Sequence, residues 1–127
     1  AGMLAKLANQ AIVGITIGAV AEAMRLLERG GADPAAVRDA LRGGFADSTI
    51  LQLHGARMTV RDFTPGAHCS TQLKDMENAV AEAQALGLSL PLSEAIRARY
   101  AELVRKGNVA ALDHAALFLD LPGVRLE

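Results

Sequence analysis

The stretch AIVGITIGAVAEAM, residues 11–24, decides the fold. It carries no charge until Glu22 and is apolar nearly all round, which marks a buried helix rather than a surface one. The helix is predicted from about Met3 to Glu28, stopped by the Gly30-Gly31 pair. Ala11, Gly14, Gly18, Ala19 and Ala21 carry little or no side chain, so neighbouring helices can approach closely. Glycine inside a helix costs about 0.5–1 kcal/mol relative to alanine, and two of them imply a packing benefit. The uncharged run is too short to span a bilayer.

Working outward, Asp33-Pro34 is a helix start, an N-cap acid followed by proline at the first helical position, and that helix runs to Arg42. A short helix fits Asp47 to Leu53, capped by Asp47 or Ser48. His54-Gly55 is expected to interrupt it before a further turn through Arg57–Val60. RDFTPG, residues 61–66, reads as a turn. From Ser70 to Leu86 the period is helical, with Leu73, Met76, Val80, Ala83 and Leu86 on one face and Gly87 as terminator. Pro91 to Lys106 makes another helix, and a last short one starts at Asp113 and fades before Pro122. No strand-like alternation of any length interrupts this order. The fold class is all-α, a helical bundle around the first helix, in one domain spanning residues 1–127.

Composition agrees. About half of the 127 residues are apolar, enough for a core, yet there is no Trp, one Tyr and three Phe, so Ala, Leu and Val must fill the interior. Net charge is −1 with both signs interspersed, which gives no basic footprint for nucleic acid. The single Cys69 rules out an internal disulfide framework and fits a reducing compartment. A cytoplasmic location without membrane or nucleic-acid partners is the expectation. His54, His68 and His114 show no metal-ligand spacing with Cys69 or the acids, and no metal site is expected.

One cluster invites chemistry. Lys6, Asn9 and Gln10 stand at i, i+3 and i+4 at the head of the first helix, on one face. The helix dipole disfavours a cation there, and with partial burial it would depress a lysine from about 10.4 towards a working range for proton transfer. The two amides could hold a substrate oxygen beside it. Read alone, the three residues fit an ordinary solvated first turn better than a catalytic one.

The stretch GMLAKLANQ, residues 2–10, resembles the G-x-x-x-K-x-x-N-[N/Q] segment that opens the helical C-terminal domain of the β-hydroxyacid dehydrogenase family. Residues 31–58 resemble the branch of that family that reduces tartronate semialdehyde. DFTPG at 62–66, LKD at 73–75 and LDHAAL at 112–117 match further landmarks in order. The resemblance implies a helical domain like that of 6-phosphogluconate dehydrogenases. It implies a cofactor, NAD or NADP, Lys6 as catalytic acid/base and Asn9 with Gln10 as substrate-positioning amides. Lys74 would lie close to the cofactor, and Asp75 would pair or cap. Phe63 is assigned to core or cleft wall, and Ser48 to a helix cap. It further implies a small 3-hydroxyacid or semialdehyde substrate and a homodimer or homotetramer built through the helical domain.

The sequence contains no G-x-G-x-x-G loop between a strand and a helix. Gly2 matches the second glycine of the family's motif. The expectation is therefore a C-terminal domain that lacks its Rossmann partner and is catalytically silent alone. The alternatives are a stand-alone helical dimerisation module and an imine-reducing relative, the latter disfavoured by the presence of Lys6.

Overall fold

A computed structural model describes residues 2–126. It comprises α1 (Gly2–Arg29), α2 (Pro34–Ala40), α3 (Thr49–Val60), α4 (Cys69–Ala85), α5 (Pro91–Arg105) and a final 3-10 helix, α6 (His114–Asp120). The described residues form no strand, only an isolated antiparallel bridge between His68 and Asp113. Local chemistry sets most boundaries. Asp33 accepts from the Ala35 amide ahead of Pro34, the Ser48 hydroxyl accepts from the Leu51 amide, and Asp113 accepts from the Ala115 amide.

α1 packs against every other element. Gly14, Ile17, Val20, Ala21 and Met24 form its buried face, joined in the core by Met58, Phe63, Tyr100, Leu103 and Phe118. Each large side chain buried there contributes about 1.5–3 kcal/mol. Val13 and Leu27 are half-buried against that core, while an outer stripe is open: Ile12 is 65% and Leu26 74% exposed, with Ala19 and Ala23 exposed between them. The whole of α1, unlike its uncharged middle, is long and apolar enough to cross a membrane by length and composition; it is central to the packing, but it buries one stripe rather than its whole circumference as the sequence suggested.

Two further sequence expectations are corrected. His54-Gly55 does not interrupt α3, which runs unbroken from Thr49 to Val60. Gly55 is there for packing: a Cβ on it would sit 2.9 Å from Cδ of Arg38 and 3.5 Å from Met24. The buried Arg38 uses that space to donate to the Gly55 carbonyl (3.3 Å) and the Thr59 hydroxyl (2.8 Å). Leu86 leaves the inner face of α4, because the helix has ended at Ala85 and the 3.6-residue period no longer aims it inward; it is 62% exposed. Gln72 takes an inner position instead, 1% exposed.

α3 closes on Arg61, in the left-handed region at φ 59°. That conformation costs a non-glycine residue of order 1 kcal/mol. The guanidinium is held by Glu28 of α1 at 2.7 and 3.1 Å and lies 4.7 Å over the Phe118 ring. These contacts hold Glu28 below the usual carboxylate range and join the C-terminal ends of α1 and α3.

Candidate active site

α1 and α4 run antiparallel, so the head of α1 lies beside the middle of α4. Gln72 meets Gln10 and Gly14, and Asp75 meets Gln10 one turn further on. Gly14 makes this approach possible, since a Cβ on it would stand 2.8 Å from the Met76 sulfur and 3.0 Å from the Gln72 amide nitrogen.

Gln10 is the fixed point of the cluster. Its Nε2 donates to Oδ2 of Asp75 at 2.7 Å, which turns its Oε1 to receive Nδ2 of Asn9 at 2.9 Å. Asp75 thus has the pairing role expected of it, across 65 positions of sequence. The oxygen of Asn9 and its second amide hydrogen have no partner among the described residues. Lys6, one turn earlier, opens onto a groove of roughly 470 Å³, lined by Met3, Lys6 and Leu7 from α1 and Asp75, Asn78 and Glu82 from α4.

The structure changes one expectation here. Lys6 is exposed, because the buried face of α1 begins only at Gly14. The partial burial expected of it is not found among the described residues. Lys74 is exposed as well; it precedes Asp75 on α4 but does not line the groove. Phe63 is in the core at 4% exposure, and Ser48 caps α3.

Sequence spacing did not disclose a second constellation. Deep between α3, α4 and α6, Nε2 of His54 meets Nε2 of His114 at 3.1 Å, the rings edge-to-face. Nδ1 of His114 faces Oε1 of Gln72 at 3.3 Å, and Nδ1 of His54 lies 3.7 Å from Oδ2 of Asp113 with no hydrogen-bond partner. His54, Asp113 and His114 offer donor atoms within 4.8 Å of one another. The Asp113 carboxylate is already engaged, accepting from the amides of Gly66 (3.2 Å) and Ala115 (2.9 Å), with Arg57 at 3.7 Å. The Cys69 thiol donates to the Asp113 carbonyl and is pushed up to about 12 by burial and by Asp113, which leaves it inert as a nucleophile. Only the N-cap signal at Asp113 hinted at this site; its members are up to 60 residues apart.

Burial, first, holds both histidines below their ordinary range. An unfolded histidine takes its proton near pH 6.5, so below that pH the unfolded chain binds more protons than the folded one. Stability is fully present above about pH 6.5 and falls as the pH drops through 6.5 towards the lowered folded values. Urea midpoints at pH 7.5 and 5.5, where carboxylates contribute little, should show the loss, and His54→Phe should reduce it.

A family model described as the NAD-binding of NADP-dependent 3-hydroxyisobutyrate dehydrogenase matches residues 1–119. The chain belongs to this 3-hydroxyisobutyrate dehydrogenase family. Among its curated relatives is 2-hydroxy-3-oxopropionate reductase of Escherichia coli (strain K12), 43% identical over 116 residues, 91% of this chain and 39% of the relative. L-threonate dehydrogenase of Cupriavidus necator is 29% identical over 126 residues, 99% of this chain and 42% of that one. In fold, the chain is similar to a crystal structure of 3-hydroxyisobutyrate dehydrogenase from Salmonella typhimurium, with a TM-score of 0.85 at 24% identity, covering 92% of this chain and 41% of that one. The chain thus spans about two-fifths of the length of these members of the 3-hydroxyisobutyrate dehydrogenase family.

Proposed function

We propose that the chain is the helical half of an NAD(P)-dependent 3-hydroxyacid dehydrogenase that reduces tartronate semialdehyde to glycerate, with Lys6 as general acid/base. The observation that carries the reading is the clamp on Gln10. Held between Asp75 and Asn9, it leaves Lys6 and Asn9 one turn apart as an open pair on a rigid helix rim. The 43% identity to 2-hydroxy-3-oxopropionate reductase supports the choice of substrate.

The exposed side chains suit an anionic cofactor: Lys6, Asn9 and Lys74 put two ammonium groups and an amide on the solvent side of the α1–α4 pair. When bound, the nicotinamide supplies the hydride. Lys6 supplies the proton, passing it from Nζ to the carbonyl oxygen and taking it back in the reverse direction. Asn9 holds the substrate oxygen, Gln10 holds Asn9, and Lys74 is the residue of this chain that would meet the cofactor. The helical half alone is expected to be silent, since the described residues contain no strand–loop–helix cradle for a dinucleotide. The bare α1 stripe of Ile12, Ala19, Ala23 and Leu26 supports a homo-oligomer formed through this domain. The enzyme is placed in the cytoplasm as part of the same reading.

The test is a substrate panel on the full-length protein: tartronate semialdehyde with NADH or NADPH, and L-threonate or 3-hydroxyisobutyrate with the oxidised cofactors. The expected result is a kcat/KM for tartronate semialdehyde at least ~10-fold above the others. A preference for either hydroxyacid would overturn the substrate assignment.

A further inference from the structure

The pair formed by the buried His54 and the half-buried His114 is joined to the candidate active site by an unbroken chain of polar contacts. Nε2 of Gln72 donates to the main-chain carbonyl of Gln10 at 3.1 Å. That fixes the amide, so Oε1 is the atom turned to His114 and Nδ1 of His114 must carry the hydrogen that reaches it. Nε2 of His114 is then an acceptor, and the 3.1 Å contact requires Nε2 of His54 to donate. Nδ1 of His54 is left as a buried lone pair facing the Asp113 carboxylate, the one buried side-chain nitrogen or oxygen without a partner among the described residues. An unsatisfied buried polar atom costs about 1–3 kcal/mol, so its retention calls for a reason.

We propose that His54, His114 and Gln72 form a proton-sharing relay that positions Gln10, so that protonation of the histidine pair is felt at the head of α1. That this head is an active site rests on the function proposed above; the relay itself does not. Every tautomer in it is dictated by the Gln72–Gln10 bond. A single proton taken from solvent has one place to go, Nδ1 of His54, where the new N–H faces Oδ2 of Asp113 and completes the chain. A second proton would set two N–H groups head to head across 3.1 Å and force the rings apart. The closed relay therefore holds one extra proton and not two.

Other groups around the pair are accounted for. Arg57 lies on the same helix as His54 and opposes its charging, while Asp113 favours it. From α2, Arg38 is bonded to the Gly55 carbonyl beside His54. From α4, Cys69 is a neutral thiol on the Asp113 carbonyl, and from α5 the Tyr100 hydroxyl donates to the His114 carbonyl at 2.7 Å. None of these competes for the Nε2–Nε2 contact. Gln10, whose main-chain carbonyl Gln72 holds, is in turn bonded on its side chain to Asn9 and to Asp75, which lines the Lys6 groove.

The test is a pH titration of the ¹⁵N-labelled full-length protein by NMR, reading the imidazole nitrogens and the side-chain amide of Gln10. At high pH, His114 should show Nδ1–H and His54 Nε2–H. As the pH falls, the Gln10 amide should shift with the same midpoint as His54. In Gln72→Met the histidines should still titrate together, but the Gln10 response should be lost. Independent titration of the two rings, a flat Gln10 signal in the wild type, or a Gln10 response that persists in Gln72→Met would each overturn the proposal. So would imidazole signals that change when a chelator is added, since a cation rather than a proton would then bridge the rings. No readout uses turnover, so failure of the reductase reading would leave the relay decided on its own terms.

Discussion

Replacement of Lys6 by Ala is expected to lower kcat for tartronate semialdehyde by about 10²–10⁴-fold, the usual contribution of a positioned acid or base. The same change should leave the unfolding curve within about 0.5 kcal/mol of wild type. Both halves follow from one geometry. Lys6 is exposed and makes no hydrogen bond or ion pair among the described residues, so the fold loses nothing with it. It stands one turn before Gln10, which the bond to Asp75 holds in place, and it lines the groove between α1 and α4. Lys6→Arg separates charge from proton transfer. It keeps the cation but cannot give up a proton near neutrality, and it should be nearly as slow as Lys6→Ala. Recovery of activity in the Arg variant would mean that Lys6 acts by charge alone.

The largest effect on stability should come from Asp113→Ala, a loss of about 3–5 kcal/mol. Asp113 is 1% exposed and acts on three parts of the chain together. It caps α6 through the Ala115 amide at 2.9 Å, holds the 61–66 turn through the Gly66 amide at 3.2 Å, and faces both Arg57 and His54 at 3.7 Å. Alanine leaves the Ala115 and Gly66 amides without their acceptor and Arg57 without its anion, around a position that is itself 1% exposed. Such a loss is a large part of the 5–15 kcal/mol available to a typical domain. Asp113→Asn keeps an acceptor oxygen and should cost less. Urea unfolding of the two variants measures the difference; a loss below about 1 kcal/mol for the alanine change would show that the caps are dispensable.

These two residues also show what the sequence discloses. Helix starts were legible because their chemistry is local: Asp33-Pro34, Ser48, Pro91 and Asp113 each act within a few positions. The all-α class followed from the period of the apolar residues. Gly55 misled because a glycine that ends a helix and one that lets a neighbour in look alike, and the neighbours that tell them apart, Arg38 first, lie 17 or more positions earlier. Leu86 misled because the period was carried one residue past the end of its helix. At the candidate site, the i, i+3, i+4 set of Lys6, Asn9 and Gln10 was visible, but the Asp75 and Gln72 bonds that fix Gln10 cross 65 and 62 positions. The histidine pair spans a similar distance. What sequence reading lacked was long-range pairing, and that is where the positioning of the site resides.

The most direct test of the account is single-turnover reduction of tartronate semialdehyde by the full-length protein, wild type against Lys6→Ala, with nucleotide binding followed in the same samples. The account predicts that binding is retained, that the rate falls at least ~100-fold, and that a small primary amine in the buffer restores part of it. Equal rates in the two proteins would contradict it.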